Sequence, residues 1–289
     1  MKVLDSHHHI WKLNNRDWYG WLKPEMTKLY KDYDIKDYRE SIEVTDIEGS
    51  ILVQAADTHN ETLFMIKESI GSNGLVKGVV GWFDMVTEIE IVQQLVQSPT
   101  SNLVAIRPML QDLPDDNWIL NENLQPMIQL MIREQLVFDA LVFPRHLPYL
   151  ITFYQRHNPH LKMVIDHCAK PDINGLSLDN QWCQSMKWFA TNTNVNVKLS
   201  GLLTQIQNIE NKTDKEIKDV LYPYFEFLLS NFTSRRLIWG SDWPVINISN
   251  HSLSYWLQCS QSILKQLNCT QDDLNDIYYN NAKQYYNLK

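Results

Sequence analysis

Apolar and β-branched residues fall along this chain in short runs, each followed by a turn and then a longer stretch with apolar positions three and four apart. Short apolar runs mark strands covered on both faces, and three-four spacing marks helices buried along one side. The runs predict eight strands, over residues 3–9, 50–55, 78–83, 103–107, 136–142, 163–167, 195–200 and 236–242. Helical spacing is clearest over 35–47, 62–70, 124–132, 252–267 and 271–279. Strands alternating with helices build a parallel sheet, and eight βα units allow that sheet to close. The expected fold is α/β, a (β/α)8 barrel, as a single domain over residues 1–289. An open doubly wound sheet shares the alternation. Against it, the first strand runs into His7-His8-His9-Ile10-Trp11, where a dinucleotide site would need a glycine-rich turn.

The same strands end in ionisable residues, which buried strands rarely carry unless they are paired or functional. Strand one ends in His7 and His9, strand two runs into Gln54, and strand four ends at Arg107. Strand five carries Asp139, strand six ends at Asp166-His167, strand seven contains Lys198 and strand eight ends at Asp242. In a barrel these ends share one face, so they define a candidate site. Side chains two apart on a strand point the same way, which lets His7 and His9 converge while His8 faces away and Asp5 shares the inward face. Two convergent imidazoles suit a divalent ion such as zinc. His167 is a candidate third ligand or a group polarising a carbonyl. Asp242 is placed to take a proton from water and return it to a leaving oxygen. Trp11, Trp18, Trp21, Trp82, Trp118 and Trp243 fall in predicted loops or at strand ends, where an aromatic face suits a sugar-like ring.

Composition narrows the class. A length of 289 residues suits one barrel, and 44% hydrophobic residues supply a large core. A net charge of −8 without clustered Lys and Arg argues against a nucleic-acid partner. The four cysteines show no CxxC spacing, so neither a zinc knuckle nor a disulfide framework is expected. No apolar run is long enough for a signal peptide or a membrane helix, which makes the cytoplasm the expected compartment. The candidate site at the strand ends makes a small molecule the expected partner.

Several segments together resemble the amidohydrolase 2 family. They are Asp5-Ser6-His7-His8-His9-Ile10-Trp11, Asp166-His167-Cys168-Ala169-Lys170-Pro171, Lys198-Leu199-Ser200-Gly201 and Gly240-Ser241-Asp242-Trp243-Pro244. Val53-Gln54 ahead of Glu61-Thr62, and Gly81-Trp82-Phe83-Asp84, fit the same pattern. The likeness is greatest to the branch of sugar-acid lactonases and pyrone-dicarboxylate lactonases. It implies a barrel hydrolase that opens a cyclic ester, with His7, His9, His167 and Asp242 at the centre. Asp242 and His167 are then the candidate catalytic residues, and the four together the candidate ligands of one divalent metal, zinc. The branch also contains members without a metal. Arg107, Gln54, Trp82, Lys198 and Trp243 are the candidate substrate contacts. Arg107 stands where the wider superfamily has a lysine bridging two metals, which weighs against a binuclear centre. No second cationic cluster is evident near Arg107 apart from Arg145-His146, which weighs against a dicarboxylate substrate. The alternatives are a metal-dependent decarboxylase or a cyclic-amide hydrolase on the same barrel, or a ligand-binding relative without turnover.

Overall fold

The computed structural model describes residues 1–157 and 160–289. Eight parallel strands follow one another around a single sheet in chain order. They are β1 (Val3–His8), β2 (Ile47–Val53), β3 (Val76–Gly81), β4 (Leu103–Ile106), β5 (Val137–Ala140), β6 (Met163–Ile165), β7 (Asn196–Leu199) and β8 (Leu237–Trp239). All eight predicted strands are present, and each ends one to three residues before its predicted end. The polar residues there have left the hydrogen-bonded ladder to turn over the barrel mouth.

Around the sheet run α1 (Ile35–Ile42), α2 (His59–Gly71), α3 (Ile89–Gln97), α4 (Gln125–Arg133), α5 (Leu147–His157), α6 (Asn180–Asn192), α7 (Asp214–Phe232) and α8 (Leu253–Gln266), followed by α9 (Gln271–Asn275) and α10 (Asn281–Tyr285). Two predicted helices are corrected. The one expected over 35–47 stops at Ile42, because Ile47 already pairs with Val3 as the first residue of β2. The one expected over 271–279 breaks into α9 and a π-helical turn, Asp276–Asn280, that leads into α10.

Closure joins the end of β8 to β1. Asp242 N donates to His7 O (2.8 Å) and His9 N donates to Trp243 O (2.7 Å). Gly240 makes this approach possible, since a Cβ there would lie 2.8 Å from the His7 Cβ. Inside the barrel, Leu4, Ile51, Val53, Val80, Ala105, Val137, Val164 and Ile238 form an apolar layer, stoppered from below by Ala282, Tyr286 and Leu288 of the C-terminal segment. Each Val, Leu or Ile among them contributes about 1.5–3 kcal/mol on burial, so this layer is a firm floor.

β1 departs from simple alternation. Its register with β2 shifts between Asp5 and His8. Asp5 therefore does not share the inward face with His7. Its carboxylate instead accepts from Tyr38 OH (2.8 Å), Ser241 N (2.8 Å) and Ser241 Oγ (2.6 Å). Tyr38 also stacks on His8, with centroids 3.8 Å apart, so Asp5 and His8 together fasten α1 to the barrel. Among the described residues, no helix is long and apolar enough to cross a membrane.

Candidate active site

Directly above the apolar floor lies a layer of buried charge. Lys198 takes the inward position on β7, with its Nζ 2.6 Å from Asp139 Oδ2 on β5 and 3.1 Å from Asp166 Oδ1 after β6. Tyr286 OH donates to Asp139 Oδ1 (2.8 Å) from beneath. Arg107 Nη1 lies 3.1 Å from Asp166 Oδ2, while its Nη2 donates to the Gln54 carbonyl. Burial alone would push Asp166 up, but Lys198 and Arg107 hold it below the usual carboxylate range. Asp139 stays raised, because burial and the neighbouring Asp166 outweigh its single cation.

His7 joins this layer to the one above. Lys198 Nζ stands 3.2 Å from its Nδ1 and Arg107 Nη1 stands 3.3 Å from its Nε2. Burial first, and then these two cations with His167, push its pKa well below 6.5 and keep the ring neutral. Its Nε2 also faces His9 Nε2 at 3.2 Å. A carbonyl can only accept, so His9 Nδ1 carries a proton and donates it to Val53 O (2.7 Å). That bond aims His9 Nε2 at Asp242 Oδ1, 3.4 Å away. His167 Nδ1 pairs with Ser200 Oγ at 2.9 Å, which turns its Nε2 to within 4.0 Å of the same Asp242 oxygen. Burial pushes His167 down to about 4. For Asp242 burial acts upward, yet His167, His9 and Lys170 together keep it a carboxylate, below its ordinary range.

These groups form the base of a cavity of about 170 Å³ lined by His9, Arg107, His167, Lys170 and Asp242, with Trp21 and Met109 among its walls. Ala55, Gln111, Asp112, Leu141 and Val245 complete the lining. The structure thus brings His7, His9, His167, Asp242 and Arg107 together. Gln54 lies just behind, where its Nε2 donates to Arg107 O (2.8 Å). Lys198 is fully buried in the ionic layer. Trp243 packs on Tyr33 and Tyr38, and Trp82 holds Thr62 through its backbone; neither lines the cavity. Among the six loop tryptophans named above, Trp21 faces the cavity, with its Nε1 fixed to Ala55 O (2.7 Å).

Besides Arg107, a single further cation, Lys170, lines the same cavity among the described residues. Arg145 instead pairs with Asp116 (3.0 Å) outside it. Lys170, Gln111 and Asp112 were missed because they belong to loops that carry no periodic signal. Lys170 alone had a marker, as part of the Asp166–Pro171 segment.

His7, His9 and Asp242 each offer one atom, and the three lie within 4.8 Å of one another. Their separations of 3.2, 3.4 and 3.8 Å are near the edge of about 3.3 Å that a tetrahedral site with ligands at about 2.0–2.1 Å requires. A second group, His7, Asp166 and His167, reuses His7 and a carboxylate already committed to Arg107 and Lys198. The side chains present therefore fit one ion.

A family model described as amidohydrolase matches residues 4–288. L-fucono-1,5-lactonase of Burkholderia ambifaria is 36% identical over 262 residues, covering 89% of this chain and 87% of that protein. The L-fucono-1,5-lactonase of Burkholderia multivorans is 28% identical over 247 residues, covering 84% and 82%. A crystal structure of an amidohydrolase from Burkholderia multivorans with bound zinc superposes with a TM-score of 0.90 at 24% identity over 100% of both chains. With the family model spanning nearly the whole barrel and a relative 36% identical over 89% of this chain, the chain belongs to the amidohydrolase family.

Proposed function

We propose that this protein hydrolyses a small cyclic ester, a sugar-acid lactone, at the cavity over the barrel mouth. The observation that carries the reading is a buried Asp242 carboxylate facing three imidazoles at the base of a small cavity. The two fuconolactonases to which the chain is similar supply the substrate class. The mixed lining agrees with it. Asp112 and Gln111 can accept hydrogen bonds from hydroxyls, while Trp21 and Met109 offer apolar surface to the C–H face of a sugar-like ring.

In this reading the lactone carbonyl points down toward Arg107 and the histidines, and water approaches from above Asp242. Asp242 takes the proton of that water as the new C–O bond forms. Arg107 and His167 face the oxygen that becomes negative. When the ring C–O bond breaks, its electron pair goes to the ring oxygen, and Asp242 returns the proton there. Gln54 holds Arg107 in place, and Lys198 holds His7. His7, His9 and Asp242, with His167 beside them, would hold one divalent ion, zinc, which when bound would supply Lewis-acid polarisation of the carbonyl. The neutral state of His7 and His167 suits them equally to ligate or to hydrogen-bond.

An aldonolactone panel followed with a pH indicator tests the proposal, because every turnover releases one acid. Acid release on at least one sugar lactone, with no carbon dioxide formed, is expected. Elemental analysis of the same sample should find no more than one divalent ion per chain. Release of carbon dioxide, or acid only from cyclic amides, would move the enzyme to another reaction of the same barrel.

A further inference from the structure

The segment after β6 adopts an unusual backbone. His167, Cys168, Ala169 and Lys170 all have positive φ, at 51°, 55°, 60° and 48°. None is a glycine. Left-handed backbone costs a residue with a Cβ about 1–2 kcal/mol, so four in succession are expensive and need support. The support is visible. Lys170 N donates to His167 O (2.8 Å), Cys168 Sγ donates to Lys198 O (3.2 Å) and Trp182 Nε1 donates to Cys168 O (2.8 Å). Across from the turn, Gly201 has a φ of 65°, and a Cβ there would lie 2.6 Å from His167 Nδ1. The fold thus makes room for this turn on two sides.

What the turn achieves follows from its geometry. The ψ angles of His167 and Cys168, 34° and 28°, make it a left-handed counterpart of a 3₁₀ turn, with three residues per turn. Residues three apart then stand on the same side. Cys168 and Ala169 are fully buried, while His167 and Lys170 both reach the cavity. A right-handed continuation of β6 would send Lys170 elsewhere. Lys170 Nζ stands 2.5 Å from Gln111 Oε1 and 5.4 Å from the centre of the Phe143 ring. The charged groups around it are Asp242, Arg107, Asp112 and Asp166.

We infer that Lys170 is a further catalytic residue, whose ammonium donates a hydrogen bond to the ring oxygen of the lactone as that oxygen departs. This rests on the lactonase reading above. Arg107 and the histidines already serve the carbonyl oxygen from below. The other oxygen that gains negative charge is the ring oxygen, and Lys170 is the remaining cation lining the cavity among the described residues. The C–O bond to the ring breaks, the electron pair passes to the ring oxygen, and the proton comes from Asp242. Lys170 keeps its own protons and supplies only charge and a donor. Gln111 holds the ammonium in position until substrate arrives.

The test compares Lys170→Met and Lys170→Arg on two substrates, the best aldonolactone and dihydrocoumarin. Dihydrocoumarin leaves as a phenol, whose pKa of about 10 makes it a good leaving group that needs little help. With Lys170→Met, kcat on the aldonolactone should fall about 10²–10³-fold, the usual effect of removing one preorganised donor, with KM changing far less. The loss on dihydrocoumarin should be at least ten times smaller, and Lys170→Arg should recover part of the aldonolactone rate. Equal losses on both substrates, or a change confined to KM, would make Lys170 a structural or binding residue and overturn the assignment. Wild-type protein inert to both lactones would overturn the lactonase reading itself, an outcome visible before any variant is made. Circular dichroism of each variant identifies a folding failure, and in that case the Lys170→Arg substrate ratio alone decides: a larger loss on the aldonolactone supports the role, and equal losses refute it.

Discussion

Two polar layers lie a few ångströms apart inside this barrel, and they are built on opposite plans. In the lower one, Asp139, Lys198 and Asp166 are held 2.6–3.1 Å apart out of reach of the cavity, and Arg107, 3.1 Å from Asp166, links them to the cavity above. In the upper one, Asp242 stands 3.4 Å from His9 and 4.0 Å from His167, and these three line open space together with Lys170. A buried charge that has its partners stabilises position, whereas one left facing a cavity is available for chemistry. The lower layer thus acts as a scaffold that fixes His7, and the upper layer does the work. Variants should separate the two.

The largest effect on stability is expected in the lower layer. Lys198→Met strands Asp139 and Asp166 without their shared cation, and breaking a buried pair in this way costs about 3–5 kcal/mol. Urea denaturation of Lys198→Met should show that loss. A change below 1 kcal/mol would mean that Arg107 and Tyr286 carry the layer unaided.

How much of this was legible in the sequence follows from the same division. The strands, and the polar residues at most strand ends, could be read because buried parallel strands are continuous apolar runs that end in conspicuous charge. Asp5 was misjudged because a register shift in β1 reverses the face of everything after it, and a bulge has no periodic mark. Lys198 was seen as a strand-end polar group, but its depth below the cavity depends on how far each strand is staggered against its neighbours. Lys170 escaped notice as a site residue because left-handed backbone at non-glycine residues breaks every sequence rule for where a side chain points.

A smaller effect is expected just behind the cavity lining. Glu61 is fully buried, its Oε2 accepts from Ala55 N (2.9 Å) and Ala56 N (2.8 Å), and the Tyr19 hydroxyl is a further polar neighbour of its carboxyl. Burial pushes it up to about 8. Between its ordinary value of 4.5 and that pH, the unfolded chain holds fewer protons than the folded one, so stability falls as pH rises. Melting temperatures of wild type and Glu61→Gln across pH 5–8 should converge at the acid end, with the variant gaining relative to wild type toward pH 8. A difference independent of pH would show that Glu61 is ionised throughout.

The smallest effect on stability, and the most direct test of the account, belongs to Asp242. Asp242→Asn keeps the shape of the side chain but cannot take a proton from water. Its melting temperature should stay near that of wild type, while kcat on the best sugar lactone falls by about 10²–10⁴-fold, the range for a lost general base. Wild-type turnover by a folded Asp242→Asn would contradict the division of labour drawn here, and would place Asp242 with the scaffold.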